Sequence, residues 1–174
     1  ERSQKMKYSS KWKTWKAILD FKTCLICRGN NGKIYEINEK VSPSPPTHFY
    51  CRCTIDKLSV LPAGSATNNG INGADWFLKV FGKLPGYYIT PEQAVREGWN
   101  PKKGDLFLKC PGKMIFGGIY QNRNEHLPSA PNRIWYEADI NYESGFRGTE
   151  RILFSNDGLI FVTYDHYQTF IEIE

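Results

Sequence analysis

The sequence has no run of about 18 apolar residues, the length that a membrane-spanning helix requires. Its first ten residues are polar and lack the apolar stretch of a secretion signal, so no signal peptide is expected in this chain. No internal repeat is present, and a repeat architecture is not expected. Aromatic residues are plentiful at 14%, which is enough bulky surface for a globular core without covalent staples. Disorder along the whole chain is therefore not expected.

The positive charge of the chain is unevenly distributed. The formal net charge is +5, but residues 1–70 carry +7 and residues 71–174 carry −2. Five lysines of the first part precede residue 20: Lys5, Lys7, Lys11, Lys13 and Lys16. Such a segment can attract a polyanion such as RNA or an anionic membrane, and a solvated flexible leader is the alternative interpretation.

The N-terminal part contains one predicted helix and one predicted strand. Apolar residues including Trp12 and Trp15 recur at helical spacing, so residues 11–22 are predicted to form an amphipathic helix. An apolar alternation over residues 34–37 predicts a strand.

A turn-prone stretch of small polar residues, 62–70, is the best linker candidate in the chain. We therefore predict a basic Cys/His-containing module over residues 1–60, a linker over 61–73 and a second domain over 74–174.

The second domain is predicted to begin with two helices. The first covers residues 75–81. The second begins at Thr90, because Pro91 suits the first helical position and Gln93 completes a capping box. Gly98 is expected to end it.

Strands are predicted after the helices. Five short runs rich in Ile, Phe, Tyr and Trp carry the signal: 115–121, 133–140, 150–155, 159–164 and 168–173. The turn sequence at 156–158, Asn-Asp-Gly, favours a hairpin between the third and fourth runs. Helices followed by an antiparallel sheet form an α+β fold.

Four side chains on these strands or their ends could act together on a phosphodiester. Glu137 is a carboxylate that can remove a proton at neutral pH, and His166 is an imidazole that can donate one. Arg147 and Arg151 would supply planar cations that match phosphate oxygens. The set is sufficient for RNA transesterification, although such residues on strands are more often surface charges.

From about residue 75 onward the chain resembles barnase and its bacterial relatives, a branch of the guanyl-specific microbial ribonucleases. The matching words are collinear: Lys83-Leu-Pro, Tyr88-Ile-Thr90, Gly98-Trp99, Pro111-Gly-Lys113, Asn122-Arg123, Glu137-Ala-Asp-Ile-Asn-Tyr142, Ser144-Gly-Phe-Arg147, Arg151-Ile-Leu and Asp165-His-Tyr-Gln-Thr-Phe170. The resemblance implies N-terminal helices packed on a five-stranded antiparallel sheet, here preceded by the small Cys-rich module. It also implies an endoribonuclease that needs no cofactor for catalysis and does not cut DNA, which lacks the 2'-hydroxyl.

The resemblance assigns roles to individual residues. Glu137 would be the general base and His166 the general acid, while Arg147 and Arg151 would hold the scissile phosphate. Tyr167 would pack near the base. Four loop residues would contact the base: Gln121, Asn122, Arg123 and Asn124. The first product would be a 2',3'-cyclic phosphate, which water then opens.

The chain departs from the family pattern at two places. Pro91 stands where the family has a lysine that supports the phosphate, so we expect lower activity or a replacement cation such as Lys79 or Lys83. Asn124 stands where the family has a glutamate that pairs with guanine, with Glu125 one residue later. An amide lacks the carboxylate's charge, so a relaxed purine preference is expected.

Several neighbouring residues have structural interpretations. Trp99 and Trp135 are expected in the core. Asp139 and Asp157 are interpreted as pairing or turn residues. His126, on a polar loop, is expected at the surface.

Four of the five cysteines and one histidine are clustered in the first part: Cys24, Cys27, His48, Cys51 and Cys53. Two close pairs suit a structural zinc ion bound by four cysteines, or by three cysteines and His48. Disulfides, which an extracellular protein would favour, and unpaired thiols are the alternatives. Cys110 stands alone and is expected to be a buried thiol.

Residues 10–55 more weakly resemble the C-terminal region of phage minor head (head-morphogenesis) proteins. A capsid-type module joined to a nuclease implies a polymorphic toxin that is secreted or delivered into the cytoplasm of a target cell. Such a toxin would have an acidic, barstar-like immunity partner besides its RNA substrate. A phage-derived structural or RNA-binding protein with a vestigial nuclease fold is the alternative.

Overall fold

The computed structural model describes residues 6–174, so Lys5 of the basic segment lies outside the described residues. The chain has an α+β fold in which one large sheet dominates. Its helices are α1 (Leu25–Asn30), α2 (Ala74–Phe81), α3 (Pro91–Arg96) and α4 (Leu106–Lys109), with a 3-10 turn at Gly70–Asn72. Its strands are β1 (Lys7–Lys16), β2 (Ile34–Glu36), β3 (Thr54–Leu61), β4 (Tyr88–Ile89), β5 (Met114–Tyr120), β6 (Trp135–Asp139), β7 (Arg151–Ser155), β8 (Ile160–Thr163) and β9 (Ile171–Ile173). No helix in this part of the chain is long and apolar enough to cross a membrane.

The described residues form one nine-stranded sheet, and the prediction of five strands was wrong. The order is β2-β1-β3-β9-β8-β7-β6-β5-β4. The five predicted strands are confirmed as the antiparallel series β5 to β9. At one end of the sheet, β4 pairs parallel to β5. At the other end, β3 pairs parallel to β9, β1 pairs antiparallel to β3, and β2 pairs antiparallel to β1. Parallel pairing joins segments distant in sequence, and the local pattern carries no signal for it.

The predicted helix over residues 11–22 was wrong, because strand β1 occupies most of this stretch. Trp12 and Trp15 are both buried, but in different apolar clusters. Residues three apart on a strand point to opposite faces, so a strand buried on both faces at these positions mimics helical spacing. A register shift between Tyr8 and Lys13 disturbs the alternation further, where Ser9 Oγ accepts hydrogen bonds from two following backbone N–H groups.

The two helices predicted for residues 75–81 and from Thr90 onward are confirmed as α2 and α3. In α3, Thr90 Oγ1 accepts from Gln93 N at 3.2 Å and the Gln93 side chain accepts from Thr90 N at 2.9 Å, with Pro91 at the first helical position. Gly98 follows this helix with φ 106°. These contacts satisfy backbone groups that a helix leaves free at its start.

The predicted linker runs along the folded core. Leu61 is the last residue of β3, and Ala63 N donates to Glu174 O at 2.8 Å. Ala66 is buried in one apolar cluster with Leu78 of α2 and Ile152 of β7. The division into residues 1–60, 61–73 and 74–174 stays a prediction.

Candidate active site

Glu137 lies in the middle of β6, on the same face as Asp139, because alternate residues of a strand point to the same side. The neighbouring strand β5 shifts its register between Phe116 and Gly118. A Cβ atom at Gly117 would lie 3.0 Å from Cγ of Glu137. Glycine at this position therefore leaves the carboxylate space that a larger residue would crowd.

Arg147 and Arg151 converge on the buried carboxylate of Asp139. Arg147 donates two hydrogen bonds to it, from Nε at 2.6 Å and Nη2 at 2.7 Å, and Arg151 Nε forms an ion pair with it at 3.1 Å. Arg151 Nη1 also donates to Gly148 O at 2.8 Å. The bonds to Asp139, and to a smaller extent the charge of Glu137, raise the pKa of Arg147. Both guanidiniums are thus held in position beside the site, and the structural interpretation of Asp139 is confirmed.

His166 and Tyr167 lie on a tight loop, residues 165–170, which we call the His166 loop. Both have left-handed backbones, with φ of 57° and 67°, a conformation that costs a non-glycine residue of the order of 1–3 kcal/mol. Asp165 holds the loop by accepting hydrogen bonds from Thr163 Oγ1 at 2.9 Å, Thr169 N at 2.9 Å and Thr169 Oγ1 at 2.6 Å. Tyr167 N in turn donates to Thr163 Oγ1 at 3.0 Å.

Tyr167 connects the proposed base and the proposed acid. Its hydroxyl donates to Oε2 of Glu137, and its ring lies 5.0 Å from the ring of His166, centroid to centroid. Burial, together with the bond to Glu137, raises the pKa of Tyr167, while nearby Arg151 opposes that rise. Tyr167 also stacks on Tyr120, with centroids 5.2 Å apart and planes 11° from parallel. Glu137 and His166 thus both contact Tyr167, and Arg147 and Arg151 both contact Asp139, two residues after Glu137 on β6.

The proposed base-binding residues line an open cleft of about 400 Å³. Its lining comprises Ile119, Tyr120, Gln121, Asn122, Arg123, Asn124, Glu137 and Tyr167. Residues 121–127, which we call the base loop, are tied together by Asn122: its side chain donates to Leu127 O at 2.8 Å and accepts from Leu127 N at 3.0 Å. The base-loop residues and Glu137 thus share one cleft, whereas Arg147, Arg151 and His166 lie outside its lining.

Three supporting residues are absent from the residues singled out in the sequence. Gly117 gives Glu137 its space, Asp165 holds the His166 loop, and Tyr120 provides the stacking surface. Asp165 had a weak signal, because Asx residues commonly bind hydroxyl and N–H groups a few residues away in turns. The function of the other two depends on strand register, which the sequence did not specify.

A family model described as ribonuclease matches residues 79–174. The ribonuclease of Heyndrickxia coagulans is 47% identical over 108 residues, which cover 62% of this chain and 99% of the relative. The ribonucleases of Bacillus intermedius and Bacillus pumilus are also 47% identical over 108 residues, each over 67% of its length.

The chain belongs to the ribonuclease family. The predicted resemblance to barnase-like enzymes is therefore confirmed, and the chain is an endoribonuclease. A second family model, described as Phage Mu protein F like protein, matches residues 1–56, in agreement with the predicted phage resemblance. It covers less than half of the ribonuclease chain.

In the ribonuclease, His126 is buried, and the prediction of a surface position was wrong. It is 7% exposed, and its Nε2 lies 2.8 Å from the carbonyl oxygen of Gly29. Burial lowers the pKa of His126. The N-terminal segment covers this part of the base loop, and a long-range contact of this kind leaves no local pattern in the sequence.

The other structural interpretations are borne out by the ribonuclease structure. Trp99 and Trp135 are 7% and 4% exposed, and Cys110 is buried. Asp157 pairs with Arg133, whose Nε lies 2.9 Å from Oδ2 of the carboxylate.

The clustered cysteines of the ribonuclease lie together around the start of α1. The ligand atoms of Cys24, Cys27 and His48 are within 4.8 Å of one another, as are those of Cys27, Cys51 and Cys53. Cys27 Sγ lies 3.6 Å from Cys51 Sγ and 3.7 Å from His48 Nε2. The four clustered cysteines are free thiols. The 3.6 Å between the sulfurs of Cys27 and Cys51 far exceeds the length of a disulfide bond, about 2.05 Å.

Proposed function

We propose that the ribonuclease cleaves single-stranded RNA by in-line attack of the ribose 2'-hydroxyl. Glu137 takes the hydroxyl proton as O2' bonds to phosphorus, and His166 gives a proton to O5' as the P–O5' bond breaks. Arg147 and Arg151 bind the phosphate oxygens, which gain charge in the transition state. The 2',3'-cyclic phosphate product is then hydrolysed with the two roles exchanged.

One observation carries this proposal: Tyr167 contacts the carboxylate of Glu137 and the ring of His166 at the edge of the cleft lined by the base loop. A ribose whose base lies in that cleft would lie beside the Glu137 carboxylate, and the ring contact between Tyr167 and His166 brings the imidazole near the same edge. The arginine pair, anchored on Asp139, supplies positive charge beside them. Ordered cations of this kind need no rearrangement as the charge develops.

The direct test uses a guanine-containing dinucleotide and a single-stranded RNA, with DNA of the same sequence as a control substrate. The parent chain should form a 2',3'-cyclic phosphate from RNA and leave DNA intact. Glu137→Ala and His166→Ala should each lower kcat/KM by at least about a hundredfold, the usual contribution of one acid or base. Glu92→Gln, at an exposed acid in the first turn of α3, should match the parent. Equal cleavage by all forms would refute the proposed roles.

We further propose that the base preference is relaxed. Asn124 stands in the place of the family's glutamate, and its Oδ1 already accepts from His126 N at 3.2 Å. The side chain thus offers a guanine edge an amide in place of a carboxylate, and its oxygen is already hydrogen-bonded within the loop. Cleavage rates of matched guanine and adenine dinucleotides should differ less than they do for Asn124→Glu; a parent at least as selective as that variant would contradict the proposal.

We propose a structural zinc ion in the cysteine cluster, bound by Cys24, Cys27, Cys51 and Cys53. Zinc–sulfur bonds of about 2.3 Å in a tetrahedron put neighbouring sulfurs about 3.8 Å apart, close to the observed 3.6 Å. Backbone hydrogen bonds from Cys53 and Thr47 lower the pKa of Cys51 to about 6, whereas burial raises the pKa of Cys27 to about 12. Zinc binds the thiolate form of both cysteines.

His48 is the alternative fourth ligand to Cys53. Its Nδ1 lies 2.8 Å from the carbonyl oxygen of Phe49, which can only accept, so in the neutral ring Nε2 carries the free lone pair. Metal analysis of the purified chain should find about one zinc per molecule. Loss of zinc in Cys53→Ser but not in His48→Ala selects the four-cysteine set, and the reverse selects His48. A metal-free parent chain would exclude both.

We also propose that the ribonuclease is the toxic part of a delivered bacterial toxin with an acidic immunity partner. The support is the combination of a ribonuclease match with a phage-protein match in one chain. Expression of the chain in a bacterial cytoplasm should arrest growth, and His166→Ala should not. Normal growth with both forms would contradict the toxin role. The alternative of a vestigial nuclease that cuts no RNA disagrees with the ribonuclease family match.

A further inference from the structure

The end of helix α1 lies against both loops of the candidate active site. Gly29 belongs to this helix and Gly32 follows it, and we call residues 29–32 the α1 turn. Gly29 contacts the base loop, and Gly32 contacts the His166 loop. The loops follow different strands, β5 and β8, so the α1 turn links two parts of the site from outside the catalytic domain predicted from the sequence.

The contact with the base loop runs through His126. Its Nε2–H donates to Gly29 O at 2.8 Å, because a carbonyl oxygen can only accept. The backbone oxygen of His126 accepts from Ile34 N, in β2, also at 2.8 Å. Nδ1 is buried and has no hydrogen-bond partner among the described residues, which suits a neutral ring. Side chain and main chain of one base-loop residue are therefore both bound to the N-terminal segment.

The contact with the His166 loop is a close approach of two backbones. A Cβ atom at Gly32 would lie 1.8 Å from the carbonyl oxygen of Gln168, two residues after His166. Gly32 also has φ 83°, which side chains disfavour. The absence of a side chain at Gly32 allows the turn to support this loop directly.

Apolar packing fixes the ends of the same two loops. Leu127 ends the base loop and Phe170 ends the His166 loop, and both are nearly fully buried. They belong to one apolar cluster with Trp12 of β1 and Ile34 of β2. The N-terminal strands therefore supply part of the core under the site as well as the polar contacts at its edge.

We infer that the α1 turn is a buttress that sets the positions of the base loop and the His166 loop, with His126 as a positioning residue. The inference rests on the proposed RNA cleavage. The contact of Gly29 with the base loop and the contact of Gly32 with the His166 loop affect different steps of the reaction. Release of the base loop weakens substrate binding and raises KM, whereas displacement of the His166 loop moves the acid away from the leaving oxygen and lowers kcat.

The Gly32 contact is tested with Gly32→Ala and the matched variant Gly29→Ala. An alanine at 29 meets no atom within 4 Å and keeps the carbonyl that His126 uses, whereas an alanine at 32 must displace the Gln168 backbone. With a dinucleotide substrate, Gly32→Ala should lower kcat about tenfold or more, with KM nearly unchanged, and Gly29→Ala should match the parent. Equal kcat values for the two folded variants would overturn the inference.

The His126 contact is tested with His126→Met, which removes the donor, and His126→Gln, whose amide can donate to Gly29 O. His126→Met should raise KM about tenfold, and His126→Gln should restore most of the loss. Leu78→Val, in a different apolar cluster, provides a variant of reduced stability whose KM should not change. If His126→Gln and His126→Met share the parent's KM, the inference is wrong, even where Gly32→Ala does not fold.

Different results would refute the proposed RNA cleavage and the buttress. A parent chain that binds RNA but cuts none refutes the proposed function, and the buttress with it. A parent that cuts RNA and loses activity in His166→Ala, while both His126 variants and Gly32→Ala behave like the parent, refutes the buttress alone.

Discussion

The hydroxyl of Tyr167 donates a hydrogen bond to Oε2 of Glu137, while the Tyr167 ring stacks on Tyr120. One side chain thus orients the proposed general base and extends the aromatic surface of the cleft. The hydroxyl and the ring can be removed separately.

Tyr167→Phe should lower kcat several-fold and leave KM nearly unchanged, because the ring remains while Glu137 loses the bond that orients it. Tyr167→Ala should also raise KM, because the stacked ring is gone; base–aromatic stacking contributes about 1–3 kcal/mol. Steady-state kinetics with a dinucleotide distinguish the two. The same KM in both variants would show that the ring does not contact the substrate.

Asp139→Asn should strongly destabilise the fold. The carboxylate is 2% exposed between two guanidiniums, and removing one member of a buried ion pair typically costs about 3–5 kcal/mol. Asp157→Asn is the matched control: its side chain is 46% exposed, so loss of its pair with Arg133 should cost about 1 kcal/mol or less. The free energies of unfolding in urea measure both changes. Similar losses of unfolding free energy in the two variants would contradict the proposal that the buried pairs of Asp139 stabilise the fold.

The buried His126 should make stability depend on pH. Burial lowers its pKa in the folded chain below the ordinary 6.5, so the unfolded chain binds this proton more tightly. The stabilisation is therefore complete above about pH 6.5 and is lost as the pH falls through the folded-state pKa. Urea unfolding of the parent and of His126→Gln at pH 7.5 and 5.5 isolates this contribution, because other groups titrate in both.

The stability lost by the parent between these pH values should exceed the loss in His126→Gln. The charge of Lys33 lowers the pKa of His126 further, so Lys33→Gln should slightly reduce the stability that the parent loses between the two pH values. An equal pH dependence in parent and His126→Gln would mean that the ring is not held neutral.

Removal of the proposed zinc ion with a chelator should lower the Tm, because an ion that binds only the folded chain stabilises it. Activity in a chelator should persist below the new Tm and fall only with unfolding, since the proposed chemistry uses no metal. Cys24→Ser should resemble the chelated parent, whereas Cys110→Ser, outside the cluster, should keep the metal. Activity that disappears in chelator while the fold is intact would count against the proposed mechanism.

Local signals in the sequence predicted much of the C-terminal part. The capping box of Thr90 and Gln93, the strand runs and the turn at Gly158 depend on neighbouring residues, and the structure confirms each. The resemblance also placed Glu137, Arg147, Arg151 and His166 in one region. Their roles stay predictions.

The wrong predictions concern residues whose contacts are with residues far away in the sequence. Trp12 and Trp15 were placed on a helix because a strand buried on both faces has the same spacing. His126 was placed at the surface because its cover, Gly29, is 97 positions away.

The amino-acid sequence by itself determined the α+β class, the ribonuclease family and the candidate catalytic residues, because these depend on local periodicity and on short sequence motifs. Only the tertiary structure decided that the sheet has nine strands among the described residues and that the α1 turn supports both active-site loops. The pairing of β3 with β9 and the approach of Gly32 to Gln168 arise from packing between residues more than a hundred positions apart. Neither leaves a pattern within a short stretch of sequence.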